Sequence, residues 1–306
     1  MGGDEDEDTG AGARVTPAAV TVSAPVALAA VAAVLFAAGN NLQRHAAAKV
    51  PTEGYGPIRL ILRLLRSPRW LAGGACAVGG LLCQARALTQ GGVILVQAVI
   101  ASTLVYSLLM EAVVERERPA MGQLAGSAAV VSGIVLLVGV GRPVAGGEIT
   151  SLWRAAPAWI TIALVGGGAL LRARWRPKGR RTAIALGAAA GVCFAVDAVF
   201  LRGLAAALSP FDSVTVATNA AGFAVASAVG NLAIQRGFQL APLRHVLPAM
   251  AATEPVAAFA CGWVLFGERL QPGTVGVASV VGGLLLMVTG VVLCALRGPV
   301  AAPTAH

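Results

Sequence analysis

One stretch of the chain occurs twice, and this duplication limits the folds that the sequence can adopt. Residues 84–133 match residues 235–283. The equivalent positions, at an offset of 151 that becomes 150 after a one-residue gap, are Gln84 with Gln235, Gln97 with Pro248, Thr103 with Glu254, Glu117 with Glu268, Arg118 with Arg269, Gly126 with Gly276 and Gly133 with Gly283. A duplicated set of hydrophobic helices is typical of secondary transporters.

The composition is that of a protein embedded in a membrane. Of the 306 residues, 57% are hydrophobic and only 12% are charged, with a mean hydropathy of +0.77, whereas soluble domains carry about 25% charged residues. Glycine is abundant and aromatic residues are scarce, which favours helices that pack closely through small side chains. The net charge of +9 is spread between the apolar segments, so it favours a role in membrane topology over nucleic-acid binding.

Long apolar segments predict nine transmembrane helices. The spans are expected at about residues 24–46, 70–88, 92–114, 119–140, 155–171, 182–204, 213–235, 243–266 and 273–296. Residues 57–67 carry Arg59, Arg63 and Arg66 on one helical face with leucines opposite, which is typical of a helix that lies in the membrane interface. The predicted fold is therefore an all-α polytopic membrane protein.

The order of these segments predicts two inverted repeats around a connecting helix, in a 4+1+4 arrangement. The predicted units are an acidic disordered tail at 1–22, a first repeat at 23–141 that includes the interfacial helix, a connecting helix and Arg-rich loop at 142–181, a second repeat at 182–297 and a tail at 298–306. An odd number of spans separates equivalent helices, so the repeats have opposite orientations. Lys and Arg concentrate in alternate connections, which predicts a cell-membrane protein with its N-terminus outside and its C-terminus in the cytoplasm.

Two carboxyl groups fall within predicted spans, where an ionised side chain costs about 3 kcal/mol or more. Asp197 lies in the sixth span and Glu254 near the middle of the eighth. Pro248 and Pro255 free backbone carbonyl oxygens around Glu254, and such a place can bind a cation or take up a proton. We therefore predict that both carboxyl groups bind substrate or a coupling ion. Two alternatives remain open: Asp197 pairs with Arg202 on its own helix, and Glu254 marks only a helix kink.

Neutral polar residues at similar depths are the other candidates for the substrate site. Asn40 and Asn41 end the first span, Gln84 lies in the second and Gln97 in the third. The alternative is that these side chains only join helices through hydrogen bonds. Glu111, at the inner end of the third span, is expected to reach the membrane surface.

Motifs of catalytic and cofactor sites are missing from the sequence. There is no GxGxxG after a strand, no phosphate-binding GK[ST] loop, no HExxH and no GxSxG. The five cysteines include no CxxC pair. We therefore expect no enzymatic activity, no cofactor and no metal site.

Several short motifs resemble the drug/metabolite transporter superfamily, and within it the EamA-like proteins. They are the segment 84–88 leading into 95–97, the pair Glu254-Pro255, the triplet Glu268-Arg269-Leu270 and the glycines of the fourth and ninth spans. The resemblance covers nearly all of residues 24–296, and nine helices are closest to the NIPA-like branch, whose named members are magnesium transporters. It implies secondary transport of a small metabolite, drug-like compound or cation by alternating access.

A second hypothesis is a membrane scaffold without transport activity. Such a protein would dock a cytoplasmic partner or anionic lipid through the basic residues at 172–181. Under the transporter hypothesis the expected partners are the lipid bilayer and a small-molecule or cation substrate, and not nucleic acid. A homodimer is compatible with both hypotheses.

Overall fold

The computed structural model describes residues 17–48, 66–116, 120–147, 152–175, 179–208, 211–241, 243–271 and 276–296. Most of the predicted interfacial helix and the tip of the Arg-rich loop lie outside these ranges. The first helix begins at Pro17, inside the predicted tail. Proline is favoured in the first turn of a helix because it has no N–H to leave unpaired there.

The described chain is almost entirely helical. Its helices are α1 (Pro17–Ala48), α2 (Pro68–Ile100), α3 (Thr103–Glu115), α4 (Met121–Val135, extended by a π-helical turn at Leu136–Val140), α5 (Leu152–Thr161) and α6 (Gly168–Trp175) with a π-helical turn at Ile162–Gly167 between them, α7 (Arg180–Ala207), α8 (Ser213–Leu240), α9 (Leu243–Phe266) and α10 (Gly276–Leu296). Two short strands, β1 (Pro143–Val144) and β2 (Arg269–Leu270), pair antiparallel.

Eight of the described helical segments are long and apolar enough to cross a membrane, and Thr103–Val114 is a shorter apolar helix. Many large apolar side chains point outward from them, including Leu164, Trp263 and Val264. Such exposure suits contact with lipid, since soluble monomers rarely expose large contiguous apolar surfaces. The prediction of an all-α polytopic membrane protein is confirmed.

Helix α2 consists of two arms that fold back on each other. A straight helix of its 33 residues would be about 50 Å long, well beyond the roughly 30 Å of a bilayer core. Gly92 breaks the helix with φ 76° and ψ 173°, and Gln84 Nε2 then donates to Gln97 Oε1 across 3.3 Å. These two residues would be about 20 Å apart in a continuous helix. The first arm, 68–91, and the second arm, 93–100, are therefore antiparallel.

Close contacts at glycines define the directions of the other helices. In the first half, α1 runs antiparallel to the first arm of α2, because Gly39 meets Gly73 while Gly80 meets the earlier Phe36. In the second half, α7 and α8 are antiparallel. Their meeting points are Gly203 with Asn219, Gly222 with Phe200 and Gly230 with Phe194.

Helices α7 and α9 run parallel, whereas α4 and α10 run antiparallel. Gly187 contacts Val246 and Gly191 contacts Met250, so the residue numbers of both helices increase in the same direction along the contact. Gly126 contacts Gly290 and Gly133 contacts Gly283, so the residue numbers increase along one helix and decrease along the other. Small residues at these crossings let the backbones approach closely, as the composition predicts.

Several connections meet at one end of the bundle, which we call the Glu268 end. They are the Gly92 turn, the 141–147 loop with β1, and the 266–271 segment with β2. Backbone hydrogen bonds from Gln271 N to Gly141 O (2.9 Å) and from Gly147 N to Phe266 O (2.9 Å) join two of them. Beneath them lies an apolar core that includes Val93, Val199 and Phe200.

Candidate functional site

A cavity of about 450 Å³ lies between the two halves of the described chain. Side chains from α1, both arms of α2, α3, α7, α8, α9 and α10 line it. The lining is mostly apolar and includes the rings of Phe36, Phe194 and Phe223. Asn40 on the cavity wall is exposed, so the cavity reaches the molecular surface beside it.

Five of the six predicted site residues line this one cavity. They are Asn40, Gln84, Gln97, Asp197 and Glu254. Asn41 does not line it, because its side chain is buried and donates to Ala37 O (2.9 Å) and to Ser107 O (3.4 Å). Asn41 therefore joins α1 to α3, which is the structural alternative that the sequence left open.

The two carboxyl groups come together because α7 and α9 are packed closely. A Cβ built on Gly191 of α7 would lie 2.4 Å from Met250 O and 3.0 Å from Glu254 N, so only glycine permits this approach. Asp197 and Glu254 both line the cavity. Ser227 Oγ on α8 donates to Asp197 Oδ2 at 3.0 Å. In its ionised form this pair would attract a positively charged solute.

Asp197 does not pair with Arg202. The Arg202 guanidinium instead binds the carboxylate of Glu268, which the sequence did not single out as a site residue. That alternative is therefore wrong, and Asp197 keeps its carboxyl group on the cavity wall.

The backbone is interrupted at the cavity on two sides. Pro255 has no N–H to donate to the carbonyl one turn earlier, at Ala251, and both residues line the cavity. In the first half, α2 and α3 join through an irregular turn at Ala101 and Ser102, which keep right-handed helical dihedral angles, so the predicted third span is interrupted there. Broken helices at membrane depth are tolerated where they line a cavity, and they often mark the substrate site of a transporter.

Sequence reasoning missed three aromatic rings and two hydroxyl side chains, Thr103 and Ser107, on the cavity wall. Among the residues that the structure describes, Thr103 Oγ1 is buried without a hydrogen-bond partner, and Thr103 lines the cavity. A signal existed for three of these residues. Thr103 is equivalent to Glu254 in the sequence repeat, and at a second offset of 158 Phe36 is equivalent to Phe194.

The other polar centre that the sequence did not predict surrounds Glu268. Its carboxylate accepts hydrogen bonds from Val93 N (2.6 Å) and Ile94 N (2.8 Å), the first amides of the second arm of α2. Glu268 and Arg202 are almost completely buried, with relative exposures of 1% and 4%. The Arg202 guanidinium also donates to Gly146 O (3.0 Å). Its Cζ lies 4.1 Å from the centroid of the Phe266 ring.

No group of three or more His, Cys, Asp or Glu side chains that could hold a metal ion occurs in the described ranges. The side chains on the cavity wall that could contribute to a cation site are the carboxylates of Asp197 and Glu254. Mg²⁺ requires near-octahedral oxygen coordination, and the neighbouring walls offer three phenyl rings. This arrangement suits an organic cation better than a bare metal ion.

Comparison with known proteins leaves the family open. No family model matches the chain, and no solved structure matches it. The chain is similar to an uncharacterized protein of Corynebacterium glutamicum, with 27% identity over 246 residues that cover 78% of this chain and 83% of that protein. The similarity extends over most of both chains, and the name of that protein assigns no activity.

Proposed function

We propose that the protein is a secondary transporter that moves a small organic solute across the membrane by alternating access. The observation that carries the proposal is the cavity between the two halves, with the Asp197 and Glu254 carboxyl groups on its wall. Carboxyl groups at membrane depth are costly and usually functional. Membership in the drug/metabolite transporter superfamily is part of this proposal.

The directions of the helices support an inverted repeat. Helix α1 runs antiparallel to the first arm of α2, and the first arm runs antiparallel to the second arm. The second arm begins at the end of the bundle where α7 and α9 end. Helices α1 and α7, which begin the two repeats, therefore run in opposite directions. Alternating access in inverted-repeat transporters is largely a movement of one repeat against the other around a fixed site.

The crossing of α4 and α10 supports the same arrangement. Gly133 and Gly283 are equivalent in the sequence repeat, and each lies against the other: a Cβ on Gly133 would be 2.5 Å from Gly283 O, and a Cβ on Gly283 would be 3.1 Å from Gly133 O. Reciprocal contact between equivalent residues is the signature of a two-fold axis. The axis relating the repeats would pass between these two glycines.

The cavity wall favours a cation with an apolar body as the solute. Two carboxyl groups supply negative charge, and among the described lining residues none is Lys, Arg or His. Phenyl rings attract organic cations through their faces. Gln84 and Gln97, already joined to each other, have amide atoms left for neutral polar contacts.

Glu254→Gln tests the transport role of the carboxyl group. The assay measures uptake of benzyltrimethylammonium, a monovalent cation with a phenyl ring, into liposomes that contain only this protein and carry a proton gradient. If Glu254 couples protons to solute, the variant loses gradient-driven uptake but keeps exchange of labelled for unlabelled solute. Glu111→Gln is the matched control, because Glu111 does not line the cavity, and it should retain both activities. Retention of gradient-driven uptake by Glu254→Gln would remove this residue from the coupling mechanism.

A scaffold role remains the second candidate. Arg172 and Arg174 at the end of α6 and Arg180 and Arg181 at the start of α7 are exposed and close in sequence. Such a basic group can bind anionic lipid or an acidic protein segment. The same liposome assay separates the candidates, because a scaffold would leave uptake of every tested solute at the level of protein-free liposomes.

A further inference from the structure

The buried Arg202–Glu268 pair holds four separate parts of the chain together. Arg202 comes from α7, Glu268 follows α9, and the amides bound by Glu268 belong to the second arm of α2 in the first half. Arg202 also binds the carbonyl oxygen of Gly146 in the loop before α5. Glu268 thus links the two proposed repeats through one carboxylate.

The site around Glu268 is built for a carboxylate. A Cβ on Gly92 would lie 2.6 Å from Glu268 Oε1, and a Cβ on Gly262 would lie 2.7 Å from Glu268 Oε2. Glycine at both positions therefore makes room for the side chain. The two amide donors stand at a helix N-terminus, where the backbone dipole favours a negative charge. Charge-assisted hydrogen bonds of this kind are stronger than neutral ones.

This cluster lies just beyond the cavity, toward the Glu268 end. Along α7 the cavity wall ends at Asp197, five residues and therefore about 7.5 Å before Arg202. Along the second arm of α2 it begins at Gln97, about 6 Å after Val93. Between them lies the packed apolar layer that contains Val199 and Ala258, which are 1% exposed. In this structure the cavity is closed toward the Glu268 end.

We propose that the Arg202–Glu268 pair is the gate that closes this end of the cavity, and that it separates each time the solute passes there. This inference rests on the proposed function, because alternating access requires the cavity to open at each end in turn. The Glu268 carboxylate closes the gate by fixing the start of the second arm of α2 against the ends of α7 and α9. When it leaves the amides of Val93 and Ile94, that arm is free to move away, and water replaces the protein donors and acceptors.

A cysteine in the apolar layer reports whether the gate is open. The five native cysteines are replaced by alanine, and Ala258→Cys is added, since Ala258 is buried in the layer between the cavity and the pair. The reaction rate with a water-soluble maleimide is then measured in the purified, reconstituted protein. Adding Glu268→Gln should raise this rate about tenfold, because loss of the carboxylate charge weakens its hydrogen bonds and shifts the population toward the open state.

Arg269→Gln is the matched control. Arg269 neighbours Glu268 in the chain but is exposed, so its loss should leave the labelling rate unchanged. A folded Glu268→Gln protein, judged by a single cooperative thermal transition, that labels no faster than its parent would overturn the proposal.

A second measurement keeps the test decisive if Glu268→Gln does not fold. The parent protein carries Ala258→Cys and an intact Arg202–Glu268 pair. Its introduced thiol is labelled once without turnover and once during turnover, which is started by adding benzyltrimethylammonium and a pH gradient. Labelling should accelerate during turnover, and an unchanged rate in the presence of measured flux would contradict the gate. If no flux occurs at all, the proposed function fails, and where Glu268→Gln folds, its labelling rate still decides whether the pair closes the cavity.

Discussion

Gly92 shows how one residue positions the second arm of α2. Its φ of 76° and ψ of 173° belong to a region that is essentially restricted to glycine. The turn directs the amides of Val93 and Ile94 at Glu268 and places Gln97 beside Gln84. A single backbone conformation thus supports both the cavity wall and the closed end.

Substitution of Gly92 by alanine should destabilise the protein by about 1–3 kcal/mol, the usual cost of holding a residue in such a conformation. The added Cβ would also lie 2.6 Å from Glu268 Oε1. Thermal unfolding of the purified protein in detergent measures the effect. Gly282→Ala is the control, since a Cβ there meets nothing within 4 Å, and it should not lower the melting temperature. Equal melting temperatures for both variants would show that the turn tolerates a side chain.

At the scale of elements, glycine crossings set the spacing between helices. Helices α4 and α10 pack through Gly126, Gly133, Gly283 and Gly290, whose hypothetical Cβ atoms would all lie within 3 Å of the facing helix. In a membrane, helices associate through such close packing because lipid offers little hydrophobic driving force. The contact between α4 and α10 therefore depends on the absence of side chains.

Gly133→Ala should separate α4 from α10 and destabilise the protein by about 1–3 kcal/mol, the usual cost of overpacking. The new Cβ would lie 2.5 Å from Gly283 O and 2.6 Å from Met287 N, and backbone atoms cannot yield as a flexible side chain can. Thermal unfolding measures the loss, with Gly139→Ala as the control in the adjoining π-helical turn, where a Cβ meets nothing within 4 Å. If Gly133→Ala unfolds no earlier than Gly139→Ala, the crossing is not tight.

At the scale of the whole molecule, the connections divide between two ends. The Gly92 turn, the 141–147 loop and the 266–271 segment meet at the Glu268 end, held by backbone hydrogen bonds and by Arg202. The exposed basic residues at the end of α6 and the start of α7 belong to the opposite end, because α7 runs from them toward Arg202. The positive-inside rule predicts that this basic end faces the cytoplasm.

Cysteine labelling in intact cells tests this orientation. In the cysteine-free protein, Gly147→Cys at the Glu268 end should react with a membrane-impermeant maleimide added outside. Arg172→Cys should react only after the cells are opened. Both positions are exposed, so a difference in labelling reflects the side of the membrane. The reverse pattern would invert the orientation, and labelling of both from outside would contradict the assignment of the two ends.

The sequence alone determined the helical membrane fold and the carboxyl and amide groups of the cavity wall, but not its aromatic and hydroxyl side chains. Apolar length is a local property, so the spans could be predicted, with a boundary between the second and third near Gly92. The interruption of the third span at Ala101 and Ser102 was not predicted. Asp197, Glu254, Gln84 and Gln97 could be selected because a polar side chain within an apolar segment has few uses other than a cavity.

Only the tertiary structure decided which polar groups bind each other. Glu268 lies 175 residues from Val93 and 66 from Arg202, and no periodicity in the sequence reports contacts at such separations. For the same reason the sequence could not distinguish Asn41, which joins two helices, from Asn40, which lines the cavity. Their places depend on which helices pack together, and that is a property of the assembled bundle.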